Sequence, residues 1–247
     1  MDHRSAFISC RDLHKSFNRN EVLRGVSLDV YSGETLVILG ASGEGKSVLL
    51  KHMNGLLKPD RGTVWAAGQD ITGMGEDALT EIRKQVGMLF QGGALFDSLT
   101  VGENVAYPLW EHARLPREAV RDRVREVLAM VDLSDSEPLL PSELSGGMRK
   151  RAALARALAL QPKAILYDEP TTGLDPIVGR RINALIRRLQ AQLGLTSVVV
   201  THDLAGAFSV MDRLAFLREG QISFVGAAEE VRRSPDPALR EFLEAYA

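Results

Sequence analysis

Thr35-Leu36-Val37-Ile38-Leu39-Gly40-Ala41-Ser42-Gly43-Glu44-Gly45-Lys46-Ser47-Val48 is the stretch on which the fold turns. Its first five residues carry no charge and form a continuous run of the kind expected for a strand buried on both faces. A glycine-rich turn follows, and then a helix expected over residues 46–57, stopped by Lys58-Pro59-Asp60. Gly40 to Ser47 fits the pattern G-x-x-x-x-G-K-[ST]. Glycines in such a turn let successive backbone N–H groups converge on phosphate oxygens, and the following helix N-terminus adds partial positive charge. Lys46 is then placed to reach the terminal phosphates and the Ser47 hydroxyl to ligate Mg²⁺. The competing reading is a plain glycine-rich turn before a helix. A buried strand before it and a helix after it favour the phosphate loop. Val48 stands where many such loops carry a second hydroxyl; its N–H still serves the α-phosphate, so a tuned affinity is expected.

Working outward, apolar runs at residues 7–10, 22–30, 63–66, 86–90, 164–167, 197–200, 213–217 and 221–225 read as strands. Residues 91–160 are mostly helical in pattern, most clearly at 118–131. Asp175 and Pro176 supply an N-cap and a first helical residue. The helix they open has an apolar face of Ile182, Leu185, Ile186, Leu189 and Leu193, and Gly194 ends it. A last short helix is expected over 238–246. Strands alternating with helices predict an α/β fold with a largely parallel sheet.

Composition bounds the functions. The chain has 247 residues, 45% hydrophobic and 25% charged, and a formal net charge of −2, which gives no bulk positive charge for a nucleic-acid partner. No apolar run approaches the ~20 residues a membrane span needs, and no signal region follows Met1 to Ser5. A membrane role therefore requires a partner. Cys10, the single cysteine, excludes an intrachain disulfide and reads as a small buried residue.

Two further constellations carry chemistry. Ala164-Ile165-Leu166-Tyr167 ends in Asp168 and Glu169, and strand ends are where open α/β sheets hold ligands. Asp168 suits Mg²⁺; Glu169 suits a base that deprotonates an attacking water. Leu144-Ser145-Gly146-Gly147-Met148 opens a helix expected to run to residue 160, with Ser145 as N-cap and open N–H groups at Gly146 and Gly147. Arg149, Lys150 and Arg151 oppose that helix's dipole, a conflict that a bound polyanion would relieve; the alternative is a solvated basic face. Whether the two anion sites serve one nucleotide within a chain or face each other across a dimer stays open on residue physics.

Together with Gly173-Leu174-Asp175 and Thr201-His202-Asp203, these motifs occur in an order that resembles the ABC ATPase family over nearly the whole chain. The resemblance implies a P-loop NTPase (RecA-like) core, an N-terminal antiparallel β subdomain and an inserted α-helical subdomain. It implies one ATPase domain over 1–247, with its core at about 1–90 and 161–247 and helices at about 91–160. It implies two chains head to tail with two ATP molecules between them, each γ-phosphate met by Ser145 and Gly147 of the other chain and Asp175 at the seam. Gln91 matches the glutamine that senses Mg²⁺ and the attacking water. His202 matches the histidine on the γ-phosphate, against the alternative of a structural histidine, and Phe17 matches an aromatic stacked on adenine, against a plain core phenylalanine.

Within the family, Phe90-Gln91-Gly92-Gly93-Ala94-Leu95-Phe96-Asp97-Ser98-Leu99, Glu103-Asn104-Val105-Ala106-Tyr107-Pro108-Leu109 and Met148 in place of the usual glutamine look like the phospholipid-transport branch that works with MCE proteins. That branch implies ATP hydrolysis at the cytoplasmic face of a bacterial inner membrane. Its partners would be an integral membrane permease docked near residues 91–109, an MCE-domain substrate-binding protein and a small STAS-domain subunit. Some relatives extend further and grip that small subunit with the longer tail; the chain here stops at Ala247, which leaves that contact open. The alternative is the ATPase of an amino-acid or other solute importer.

Overall fold

The computed structural model describes residues 6–245; the expectations placed on Met1 to Ser5 and on Tyr246 lie outside them. The chain opens with β1 (Ala6–Phe17), β2 (Asn20–Tyr31), β3 (Thr35–Leu39), α1 (Lys46–Met53), β4 (Arg61–Ala66), β5 (Gln69–Asp70), α2 (Glu76–Gln85) and β6 (Val86–Leu89). A helical stretch follows: α3 (Val101–His112), α4 (Arg117–Met130) and α5 (Gly146–Leu158). Then come β7 (Ala164–Asp168), α6 (Pro176–Leu193), β8 (Thr196–Thr201), α7 (Leu204–Val210), β9 (Arg213–Arg218), β10 (Gln221–Ala227), α8 (Ala228–Arg233) and α9 (Pro237–Ala245).

Two sheets result. A four-stranded antiparallel sheet runs β2-β1-β4-β5, and a six-stranded sheet runs β10-β9-β3-β8-β7-β6. The larger sheet is parallel apart from the β9–β10 hairpin. β3 lies inside it, between β8 and β9, which is why all five of its residues are buried. Side chains alternate across a strand. Leu36 and Ile38 accordingly join Leu49, Leu50 and Met53 of α1 in a core against the small sheet, while Val37 and Leu39 join the core shared with the helices. Each such side chain withdrawn from water contributes about 1.5–3 kcal/mol. Val101, Val105, Val124 and Leu128 of α3 and α4 belong to the second core, so the helical stretch is welded to one face of the large sheet.

Four expectations need correction. α1 ends at Met53, not residue 57: Asn54 caps it and Gly55 turns to φ +71. Residues 91–100 are not helical; α3 waits for Thr100, whose hydroxyl accepts from Glu103 N–H while the Glu103 carboxylate accepts from Thr100 N–H. α5 ends at Leu158, two residues short of 160. Leu193 is exposed, because it sits in the last turn of α6 past the point where that helix meets the core. The helix itself begins and ends as read, with Asp175 accepting from the N–H groups of Ile177 and Val178 and Gly194 at φ +64.

Candidate functional site

The turn between β3 and α1 is shaped by crowding from outside. A Cβ on Gly45, at φ +97, would lie 2.9 Å from Val22 Cγ1, so the loop closes against β2 only with glycine there. No side chain caps the N-terminus of α1, and no acid lies in its first turn. Its leading N–H groups and its dipole therefore face an anion site undisturbed. Lys46 is 5% exposed, and its Nζ donates to Gly40 O and Ala41 O at 2.8 Å each. Burial pulls its pKa down, and the neighbouring Glu169 carboxylate pulls it back up. Gly40, Ala41, Ser42, Gly43, Glu44, Gly45, Lys46, Ser47 and Val48 thus form one continuous wrap, tied at Glu44 to the β9–β10 turn by the N–H of Glu219.

β7 delivers the acids to the floor of this loop. Ser47 Oγ donates to Asp168 Oδ1 at 2.6 Å. Glu169 takes φ +47, its N–H donates to Val200 O at 3.0 Å, and its carboxylate lies 3.7 Å from Lys46 Nζ. His202 Nδ1 is 3.0 Å from that carboxylate, and Thr172 Oγ1 donates to it at 3.0 Å. His202 is half-exposed directly after β8, with its ring nitrogen on the Glu169 carboxylate. Thr172 was not legible as a site residue; its signal is its place three residues after Glu169, where the turn 169–172 brings its hydroxyl back. No group of three or more His, Cys, Asp or Glu among the described residues makes a metal cage. An oxygen pair such as Ser47 and Asp168 suits Mg²⁺, which keeps waters and phosphates as its other ligands.

The second anion site lies apart from the first. Ser145 caps α5, accepting from Met148 N–H at 3.3 Å. A Cβ on Gly147 would fall 2.6 Å from Val178 Cγ1, so the start of α5 packs tightly on the start of α6, with Gly146 against Leu174 and Asp175 beside them. Among the described residues no hydrogen bond or ion pair joins Ser145, Gly146 or Gly147 to residues 40–48. A cleft of about 470 Å³ is lined by Gly173, Asp175, Arg180, His202, Asp203 and Gly206.

The basic cluster after Ser145 divides. Arg149 is exposed and donates to Leu144 O, Arg151 is half-buried and donates to Val131 O and Asp132 O, and Lys150 is buried with its amine on Gln91 O and Glu169 O. Of the three, Lys150 alone leaves the solvated face. Gln91 itself is exposed at the end of β6. Phe17 is 43% exposed at the tip of the β1–β2 hairpin, with Lys15 Nζ 5.6 Å from its ring centroid; it is not a core phenylalanine. In the segment near residues 91–109, Val101 is core, whereas Phe96 and Tyr107 are exposed, with their rings in tilted contact at 4.8 Å between centroids.

A family model described as ABC transporter matches residues 23–172. The chain belongs to the ABC transporter family. It is 43% identical over 236 residues to the probable ribonucleotide transport ATP-binding protein mkl of Mycobacterium leprae, covering 96% of this chain and 68% of that one. It is 41% identical over 240 residues to the intermembrane phospholipid transport system ATP-binding protein MlaF of Escherichia coli, covering 97% and 89%. Among solved structures, a dimeric post-hydrolysis state of an ATP-binding cassette bound to ADP and Pi superposes with a TM-score of 0.83 at 35% identity, over 89% of this chain and 98% of that one. The phosphate loop, the acidic strand end and the capped start of α5 are thus the parts of an ABC ATPase, set on the P-loop fold expected from them.

Proposed function

We propose that this chain hydrolyses ATP to drive phospholipid movement between the inner membrane and the outer membrane or periplasmic carriers. The observation that carries the hydrolytic half is the cluster of Lys46, Ser47, Asp168, Glu169 and His202 around one loop. In this reading the loop N–H groups and Lys46 hold the triphosphate. Phe17, exposed at its hairpin tip, stacks on the adenine. Ser47, Asp168 and Gln91 would hold Mg²⁺, which would supply charge neutralisation at the phosphates. Glu169 takes a proton from water as the water oxygen bonds to the γ-phosphorus, and the bond to the β–γ bridging oxygen breaks to release ADP. His202 orients the Glu169 carboxylate and meets the γ-phosphate with its other ring nitrogen.

Two copies arranged head to tail would bring Ser145, Gly146 and Gly147 of one chain to the nucleotide on the other, with Asp175 at the seam. The distance in sequence and fold between the two anion sites of one chain supports that arrangement, as does the dimeric cassette it resembles. We read the chain as one ATPase domain, helical over about 91–160. An exposed groove of about 390 Å³ lined by Leu56, Arg83, Phe96, Tyr107, Pro108 and Arg156 suits an integral membrane permease. An MCE-domain protein outside the membrane and a small cytoplasmic STAS-domain subunit complete the assembly, with this chain peripheral at the cytoplasmic face of the inner membrane.

The lipid cargo rests on the likeness to the Escherichia coli phospholipid-transport ATPase. The mycobacterial relative's name points instead to ribonucleotides, and co-purified cargo from the intact complex separates the two: phospholipid supports the reading, and ribonucleotide without lipid overturns it. Glu169→Gln keeps size and hydrogen bonding but removes the base. It should lower turnover by about 10²–10⁴-fold with ATP still bound; near-normal phosphate release would sink the assignment.

A further inference from the structure

Lys150 is a buried cation that the hydrolytic chemistry above does not use. It is 7% exposed, yet it bonds no carboxylate. Its Nζ donates instead to two backbone carbonyls 78 positions apart: Gln91 O, in the loop after β6, and Glu169 O, 3.3 Å away at the end of β7. An ammonium taken out of water is costly unless its donors are satisfied. Burial lowers the pKa of Lys150, and the nearby charges of Asp168 and Glu169 raise it.

The two carbonyls are not ordinary ones. Glu169 sits at φ +47, a region that a residue with a side chain rarely adopts. It also precedes Pro170, and a residue before proline is pushed toward extended backbone. Such a conformation persists only where neighbours over-determine it. Here the N–H of Glu169 is fixed by Val200 O and its carbonyl by Lys150. The direction in which the Glu169 carboxylate points follows from that peptide.

The other carbonyl belongs to a loop laid along the same face of α5. One turn and a half further on, Arg156 donates to Gly93 O at 3.0 Å and to Ala94 O at 2.6 Å, and Gly93 packs on Ala153. Lys150, Ala153 and Arg156 recur at three-residue spacing, so one stripe of the helix carries Gln91, Gly93 and Ala94. That helix begins at Ser145 and Gly147.

We infer that Lys150 is a positioning residue that straps the backbones of Gln91 and Glu169 to α5, so that the carboxylate's aim depends on where α5 and the 91–94 loop sit. This rests on the reading of Glu169 as the base. A strap of this kind acts on the reaction step and leaves nucleotide capture at the phosphate loop untouched. A misplacement of about 1 Å at a reacting group can cost on the order of 10²-fold in rate.

The test uses the full chain, with ATP turnover, equilibrium binding of a fluorescent ATP analogue and thermal melting measured on each variant. Lys150→Met keeps the stem and removes every donor. It should lower kcat by at least about tenfold, with KM and analogue affinity within about twofold of the parent. A donor-bearing variant, Lys150→Gln or Lys150→Arg, whichever melts closer to the parent, should recover most of that loss at unchanged KM. Parent-like kcat in Lys150→Met overturns the inference. So does a loss that tracks a fallen melting temperature or weakened binding and is not recovered by the donor-bearing variant. Glu169→Gln, run alongside, separates the two readings: a dead Glu169→Gln with a normal Lys150→Met sinks the strap alone, while an active Glu169→Gln sinks the base.

Discussion

Single residues in this chain are decided by what their polar atoms touch. His202 was open between a structural and a functional role, and the 3.0 Å approach of its Nδ1 to Glu169 joins the two. Lys150 was misread because residue type and helix position were the only signals; a cation near a helix start looks like an anion seat until its amine is seen on two carbonyls. Nothing in the local pattern encodes a partner 59 residues upstream. Cys10 shows the opposite case, where a lone small residue in an apolar strand was legible at once. Burial pushes its thiol up to about 12. At pH 8 it should hold on the order of a thousandfold less thiolate than an ordinary cysteine. Labelling with iodoacetamide should therefore be negligible in the native protein and prompt in denaturant, and rapid native labelling would contradict the burial.

At the scale of elements, caps and buried runs were the readable features. β3 lies at residues 35–39 as expected because a strand enclosed on both faces needs an unbroken apolar run. α6 starts and stops where Asp175, Pro176 and Gly194 place it. Removing that cap should matter: Asp175→Ala leaves the N–H groups of Ile177 and Val178 unpaired, at a cost of about 1 kcal/mol. For a domain of this size that corresponds to a melting temperature lower by about 2–4 °C. The nucleotide-free chain is the right sample, since it isolates the cap from any role at a dimer seam. An unchanged melt would show the helix start to be held by packing alone. α2 escaped notice because only Leu79 and Ile82 of its ten residues are buried. α7 and α8 are too short for a period to emerge, and α1 was overrun because Leu56 and Leu57 continue an apolar pattern that Gly55 has already turned away from the core.

Over the whole molecule, the motif order made the architecture legible, since each motif names a strand end or a helix start, and it gave the candidate nucleotide-binding residues their places on those ends. What remained hidden was how elements distant in sequence close on one another: Glu44 on the β9–β10 turn, His202 on the Glu169 carboxylate, and the seating of Gln91, Gly93 and Ala94 on α5. Such contacts depend on how elements meet, and single-sequence patterns are silent about that. The shared core of α3, α4 and the sheet has a further effect on this scale, because Val37 and Leu39 of β3 lie in the same apolar body as Val101 and Val124. The helical stretch and the strand that carries the phosphate loop therefore share one packed body.

The strand order also governs how the chain is born. β3 is complete by residue 39, yet its two neighbours, β8 and β9, end at residues 201 and 218. During synthesis the most apolar strand of the protein waits for more than half the chain with both of its edges unpaired. A nascent chain halted after α6 should be protease-sensitive and held by chaperones, while one extended through β10 should resist digestion. If the shorter chain already resists, β3 has found another partner. In living cells the vulnerable interval of this ATPase is then the translation between the end of β3 at residue 39 and the end of β8 at residue 201, where slow codons or early termination would expose a sticky, half-built sheet.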